Sequence, residues 1–142
     1  MTTNIVTTTW QENMRFKSDN PSGFEFFIDA GEEHGGDSDG MRPKALMLSS
    51  LAGCSGLDVV SLLKKMKAEA KEFKIVITAE LTEEHPKFYN KVKVNYHFTG
   101  NDLNEAKITK AVNLSVEKYC GVMEMFRQFA EVKTEIFLHK KA

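Results

Sequence analysis

Residues 43–66 read PKALMLSSLAGCSGLDVVSLLKKM. From Ala45 to Leu63 the run holds no Lys, Arg or Glu, and it is just long enough to cross a bilayer as a helix. It also carries Asp58, four serines and two glycines, and a carboxylate is costly inside a membrane. The stretch is therefore expected to be the buried central helix of a soluble domain. Pro43 opens it at a favoured first-turn position, and it extends to about Met66. A helix with no polar stripe needs cover on every side. One subunit of 142 residues would struggle to supply that cover alone, so a dimer contact that includes Ala45–Leu63 is expected.

Outward from this helix the chain reads as strands. Upstream, NIVTTTW (4–10), MRFKS (14–18) and FEFFID (24–29) suggest a three-stranded meander with a turn at NPSG. Phe24, Phe26 and Ile28 alternate onto one side of the third strand. The glycine- and acid-rich AGEEHGGDSDG (30–40) reads as a solvated linker. Its DxDG resembles part of a calcium loop but lacks the remaining ligands and the closing Glu.

Downstream, FKIVITAEL (73–81) and KVKVNYHF (91–98) alternate strictly. Phe73, Ile75, Ile77, Ala79 and Leu81 face one way, as do Val92, Val94, Tyr96 and Phe98, with lysines on the wet side. Asp102 with Glu105 resembles a capping box and is expected to start a helix running through Ala111, Val112, Ser115 and Tyr119. Gly121 interrupts it, a shorter helix VMEMFRQF follows, and VKTEIFLH closes as a strand. The order βββ-α-ββ-αα-β is α+β, with further antiparallel strands after the central helix and a single domain over 1–142.

Composition removes several function classes. The formal net charge is −1, so no whole-domain field draws in nucleic acid. Arg15, Arg42 and Arg127 are the only arginines, and a planar bidentate cation must come from among them. MTTNIVTTTW has no basic region followed by an apolar run, so a cytoplasmic, reducing setting is expected. His34, His85, His97 and His139 do not cluster in sequence and read as surface residues. Met47, Met66, Met123 and Met125 read as core packing.

Two cysteines remain. Cys54 sits between Gly53 and Gly56 inside the central helix, and Cys120 lies where one helix ends and another begins. Buried thiols are often inert filler. Against that, the glycines cost helix stability, roughly 1 kcal/mol each relative to Ala, and such positions often mark a close approach of backbone or ligand. A thiol at a helix N-terminus also has its thiolate favoured by the dipole. Asp58, one turn after Cys54 on the same face, works the other way by raising a nearby thiol pKa. It reads equally well as a cap or a partner at a subunit contact.

The segments RPKALMLSSLAGCSGLDVVSLLKKM and AVNLSVEKYCGV resemble the OsmC and organic hydroperoxide resistance family. The pieces AGCSGLDVV and LSVEKYC are closest to the OsmC-like branch. The resemblance implies an intertwined homodimer of α+β subunits with two equivalent sites. It also implies that Cys54 is peroxidatic and Cys120 resolving, that Arg15 from the N-terminal strands assists the thiolate, and that an external dithiol, with no bound cofactor, returns the disulfide to thiols. Membranes and nucleic acid are not expected partners. The family's Glu shortly after the helix-opening Pro is absent: Lys44 and Ala45 stand there, and Glu12 and Glu117 are candidate substitutes. The leading expectation is a cytoplasmic hydroperoxide reductase. The alternative is a binding or redox-sensing protein on the same scaffold with weak or no peroxidase activity.

Overall fold

A computed structural model describes residues 1–141. The chain divides into two compact units, Met1–Met47 and Leu48–Ala142.

The first unit is the expected meander. Strands β1 (Thr8–Glu12), β2 (Arg15–Asp19) and β3 (Glu25–Ile28) pair antiparallel in the order β1-β2-β3. β1 starts at Thr8 rather than Asn4, because its pairing begins at Thr8 opposite Ser18, where the two hydroxyls lie 2.9 Å apart. Trp10, Phe24 and Phe27 stay exposed within the chain.

The glycine- and acid-rich loop is not merely a solvated linker. It is built around Asp29, which is buried and accepts backbone N–H bonds from Ala30 (2.8 Å), Asp37 (3.2 Å) and Asp39 (3.1 Å). A Cβ on Gly36 would run into the Ala30 carbonyl, so the tight path requires glycine there.

Helix α1 (Pro43–Lys65) matches its expected span. It is long and apolar enough, by length and composition, to cross a membrane. Within the chain it buries one stripe, Leu51, Ser55, Val59 and Leu63, one residue per turn. Leu48, Cys54 and Leu62 flank that stripe half-buried, while the opposite side is open, with Leu57 76% exposed. The expectation of a fully buried helix therefore holds for one face only of the single chain.

The second sheet has β4 (Glu72–Leu81), β5 (Tyr89–Thr99) and β6 (Glu131–His139) in the order β4-β5-β6. Val92, Val94, Tyr96 and Phe98 of β5 all point into the core with Leu51, Val59 and Phe126. β4 and β5 pair antiparallel, as expected, but β6 runs parallel to β5, Val92 opposite Val132 and Tyr96 opposite Ile136. The reason is topological. The helices between β5 and β6 carry the chain back along the sheet, so the next strand starts at the same end as β5.

These helices are α2 (Glu105–Leu114), a π-helical turn (Ser115–Tyr119) and α3 (Gly121–Arg127). The cap of α2 is Asn104, whose side chain accepts from Lys107 N–H at 3.1 Å, and not Asp102. Both residues have the preferred cap chemistry. The apolar face of Ile108, Ala111 and Val112 sets which of them falls at the helix start.

Burial opposes ionisation of Asp29, but three backbone donors and the charge of Arg42 outweigh it and hold its pKa below the ordinary carboxylate value. A depressed folded-state pKa contributes stability above the unfolded value, about 4, and that contribution is lost as pH falls through the folded value. Asp29→Asn is therefore expected to lower the thermal midpoint at neutral pH, with the gap to wild type closing as pH falls below about 4. Parallel melting curves across that range would contradict the assignment.

Candidate active site

Cys54 lies near the middle of α1, and α1 lies against β5 along its buried stripe. Cys120 is the N-cap of α3, with extended backbone at φ −77° and ψ 102°. Its sulfur accepts the Met123 N–H at 3.3 Å, a position usually held by Ser, Thr, Asp or Asn. The fold brings the two thiols, 66 positions apart in sequence, close enough for Cys54 to raise the Cys120 pKa. Cys54 is half-buried, whereas Cys120 is 3% exposed.

Burial pushes the Cys120 thiol up to about 11. The Met123 N–H pulls the other way, while the contact with Cys54 and the charge of Asp58 add to the rise. The N-terminal position of α3 was expected to favour a thiolate. Desolvation wins instead, because the sulfur is enclosed by core side chains. Cys120 thus keeps its proton at neutral pH.

Beneath the thiols lies a chain of buried hydroxyls. Tyr96 Oη is 2.7 Å from Ser55 Oγ, which is 2.8 Å from Ser115 Oγ, which donates to Asp58 Oδ2 at 3.1 Å. Tyr96, Ser55 and Ser115 are all fully buried. A carboxylate can only accept, and each hydroxyl has one proton. Ser115 donates to Asp58, so Ser55 must donate to Ser115 and Tyr96 to Ser55. The chain is polarised in one direction and ends on the carboxylate. A weaker branch runs from Ser115 Oγ to the Ser55 carbonyl at 3.3 Å. Burial raises the Tyr96 pKa, and the nearby Cys120 and Asp58 add to this beyond what the Ser55 bond offsets, so the phenol stays a donor.

The π turn makes this geometry possible. Its extra residue lets the Cys120 N–H reach the Ser115 carbonyl at 2.8 Å, closing an i+5 bond. Ser115 therefore holds Asp58 through its side chain and Cys120 through its backbone.

Each of the three arginines already has partners. Arg15 lies in the first unit, where its guanidinium meets Asp39 at 2.8 Å and Glu12 at 3.6 Å and sits over the Phe27 ring. Arg42 donates to the Asp29 and Gly40 carbonyls and to Ser38 Oγ. Arg127 donates to the Val116 carbonyl at 2.7 Å and pairs with Glu124 at 2.8 Å. Lys44 is exposed at the start of α1.

The chain matches the family described as OsmC-like protein over residues 35–135. It belongs to that family. Protein YhfA of Escherichia coli strain K12 is 32% identical to this OsmC-like chain over 123 residues, 87% of the chain and 89% of YhfA. A hypothetical protein from Aquifex aeolicus VF5 has a crystal structure that superposes with a TM-score of 0.86 at 30% identity, covering 100% of both chains. A Legionella pneumophila protein described as an organic hydroperoxide resistance protein OsmC shares the fold with a TM-score of 0.71 at 17% identity, covering 96% of this chain and 98% of its own.

Sequence reading missed three site residues, Ser55, Ser115 and Tyr96. The available signal was a hydroxyl on a stripe otherwise apolar, which has to find a partner when buried. It also missed a pair formed by His97 and His139, whose Nδ1 and Nε2 lie 2.9 Å apart on the outer face of the second sheet. These residues are two registers apart on parallel strands, and only the unexpected direction of β6 makes them neighbours.

Because the hydroxyl chain is buried, breaking it at one point strands two partners. Ser55→Ala is expected to lower unfolding free energy by about 1–3 kcal/mol. Ser55→Ala with Tyr96→Phe should cost clearly less than the sum of the two single changes, since the second removes a group the first left unpaired. Strict additivity in denaturant titrations would contradict the chain.

Proposed function

We propose that this OsmC-like protein reduces hydroperoxides with its two thiols, Cys54 as the peroxidatic and Cys120 as the resolving residue. The observation that carries the reading is the pairing itself. A half-buried sulfur and a buried one are near enough to interact, and the buried one keeps its proton.

Cys54 thiolate attacks one peroxide oxygen and the O–O bond breaks. The second oxygen leaves as alkoxide and takes a proton to become the alcohol, and Cys54 becomes a sulfenic acid. Cys120 then displaces the sulfenic oxygen to form a disulfide, and an external dithiol returns both cysteines to thiols by exchange.

Arg15 is the proposed cation for Cys54. Asp39 and Glu12 already fix its guanidinium, a carboxylate's task for which the position after Pro43 offers only Lys44 and Ala45. The proposed working unit is a homodimer. It is supported by the open apolar surface of α1, where Gly53, Gly56, Leu57 and Val60 line a groove of about 580 Å³ with Phe73 and Ile75. The family match crosses the boundary between the two compact units, which supports reading 1–142 as one domain. Asp58 of α1 is bonded to Ser115 from another element, which favours a protein-covered helix over a membrane span.

With tert-butyl hydroperoxide and a dithiol, wild type is expected to turn over repeatedly. Cys120→Ser should consume one equivalent and stop as a trappable sulfenic acid, and Cys54→Ser should consume none. Equal loss of the first equivalent in both variants would reverse or remove the assignment. Consumption of a single equivalent by wild type despite the dithiol would favour redox sensing.

Arg15→Ala, in a protein that sediments as two chains, is expected to slow sulfenic acid formation about tenfold, the equivalent of about 1.4 kcal/mol of charge stabilisation. Arg127→Ala should not. The reverse order of effects would move the cation to Arg127, and a single-chain mass would remove the dimer.

A further inference from the structure

We propose that Asp58 is the general base of the resolving step, removing the Cys120 proton as that thiol attacks the Cys54 sulfenic acid. The inference rests on the peroxidase reading above and assigns the proton transfer within it.

The carboxylate is placed by both halves of the site. It stands one turn after Cys54 on the same face of α1. Its Oδ2 is held by Ser115 Oγ, and the Ser115 carbonyl holds the Cys120 N–H. One residue therefore ties the base to the backbone of the thiol it would serve. Ser115 from the π turn bonds Asp58 directly, Cys54 precedes it by one turn of α1, and its charge acts on Tyr96 of β5 and on Cys120 at the cap of α3. Asp58 forms no ion pair with another described residue, and its Oδ1 has no hydrogen-bond partner among the described residues. One oxygen is anchored and the other is available for a proton.

The hydroxyl chain explains why this carboxylate is held so firmly. Three buried O–H groups, each with a single proton, line up to donate toward it. Apolar side chains would fill the same core positions with no polar groups to satisfy. The polar arrangement keeps Asp58 oriented and ready to accept.

The chemistry requires such a group. At pH 7 a thiol with a pKa of about 11 is thiolate in roughly one molecule in ten thousand, and Asp58's own charge is part of the reason. A negative neighbour that suppresses the free thiolate assists the reaction only if it accepts the proton during attack. In the balanced step, the Cys120 sulfur forms a bond to the Cys54 sulfur and the Cys54 S–O bond breaks. The Cys120 proton passes through Asp58 to the departing hydroxide, giving water. Cys120 is oxidised and the sulfenic sulfur of Cys54 is reduced, with no further reactant.

The sign of one substitution separates this role from a passive one. Asp58→Asn keeps an acceptor for Ser115 but removes both charge and basicity. If Asp58 acts only through its charge, Cys120 ionises more readily in the variant and disulfide closure speeds up. If Asp58 is the base, closure slows by about 100-fold and gains a tenfold rise per pH unit, since solvent must then make the thiolate. Closure is timed by quenched-flow mass spectrometry after one equivalent of tert-butyl hydroperoxide, starting from sulfenic acid already formed, so changes in the first step drop out. Wild type gives an independent measurement that needs no variant. Its closure rate should be flat from about pH 6 to 9, whereas a tenfold rise per unit would overturn the proposal. Closure in Asp58→Asn as fast as wild type or faster overturns it as well. If a 1,3-dione probe traps no sulfenic acid at Cys54 of the wild type, the peroxidase reading falls and this inference with it. Trapping followed by undiminished closure in the variant overturns this inference alone.

Discussion

A single buried contact, the 2.8 Å hydrogen bond between the hydroxyls of Ser55 and Ser115, fixes the relation between the two reactive segments. Cys54 precedes Ser55 by one residue and Cys120 follows Ser115 by five. If α1 rotated by one residue on the sheet, Ser55 would leave its place and the hydroxyls of Tyr96 and Ser115 would lose their partner. Each stranded group would cost about 1–3 kcal/mol, a large part of a typical domain's stability. Apolar stripes alone tolerate small slips and rotations. Here a directional polar contact removes that freedom and sets the thiol pair with it.

The same contact divides labour between the sulfurs. Cys120 is enclosed, capped onto Met123 N–H and held as a thiol, while Cys54 remains accessible from the helix surface. Their environments differ because their elements differ. A residue at mid-helix beside Gly53 keeps an open side, whereas a cap residue between a π turn and a short helix is closed in by the core around Met123 and Phe126.

Much of this was legible in the sequence. The apolar run after Pro43 specified α1, the strict alternation of residues 73–81 and 91–98 specified the core strands, and AGCSGLDVV with LSVEKYC pointed to the family that the comparisons identify. The rest depended on tertiary placement. Asn104 displaced Asp102 as cap because packing, not cap chemistry, chose where α2 begins. Asp29 looked like an ordinary strand-end acid until the loop folded back to present three N–H groups to it. Cys120 was read from its helix-end position, which favours a thiolate, but the degree of burial that reverses this is not written in the local sequence. The direction of β6 likewise cannot be told from alternation, which is the same for parallel and antiparallel strands.

That direction has a kinetic consequence. β6 pairs with β5 only after the chain has made a complete crossover through α2, the π turn and α3, so this ladder is the non-local part of the second sheet. β4 and β5, joined by a short connection, are local partners and can zip early. Long-range pairing bears its loop-closure entropy before it gains any contact. Cys120 sits inside that crossover and Cys54 outside it. The segment that carries Cys120 is thus the crossover itself, and the arrangement that distinguishes a reachable sulfur from a protected one belongs to the non-local, high-contact-order part of the chain.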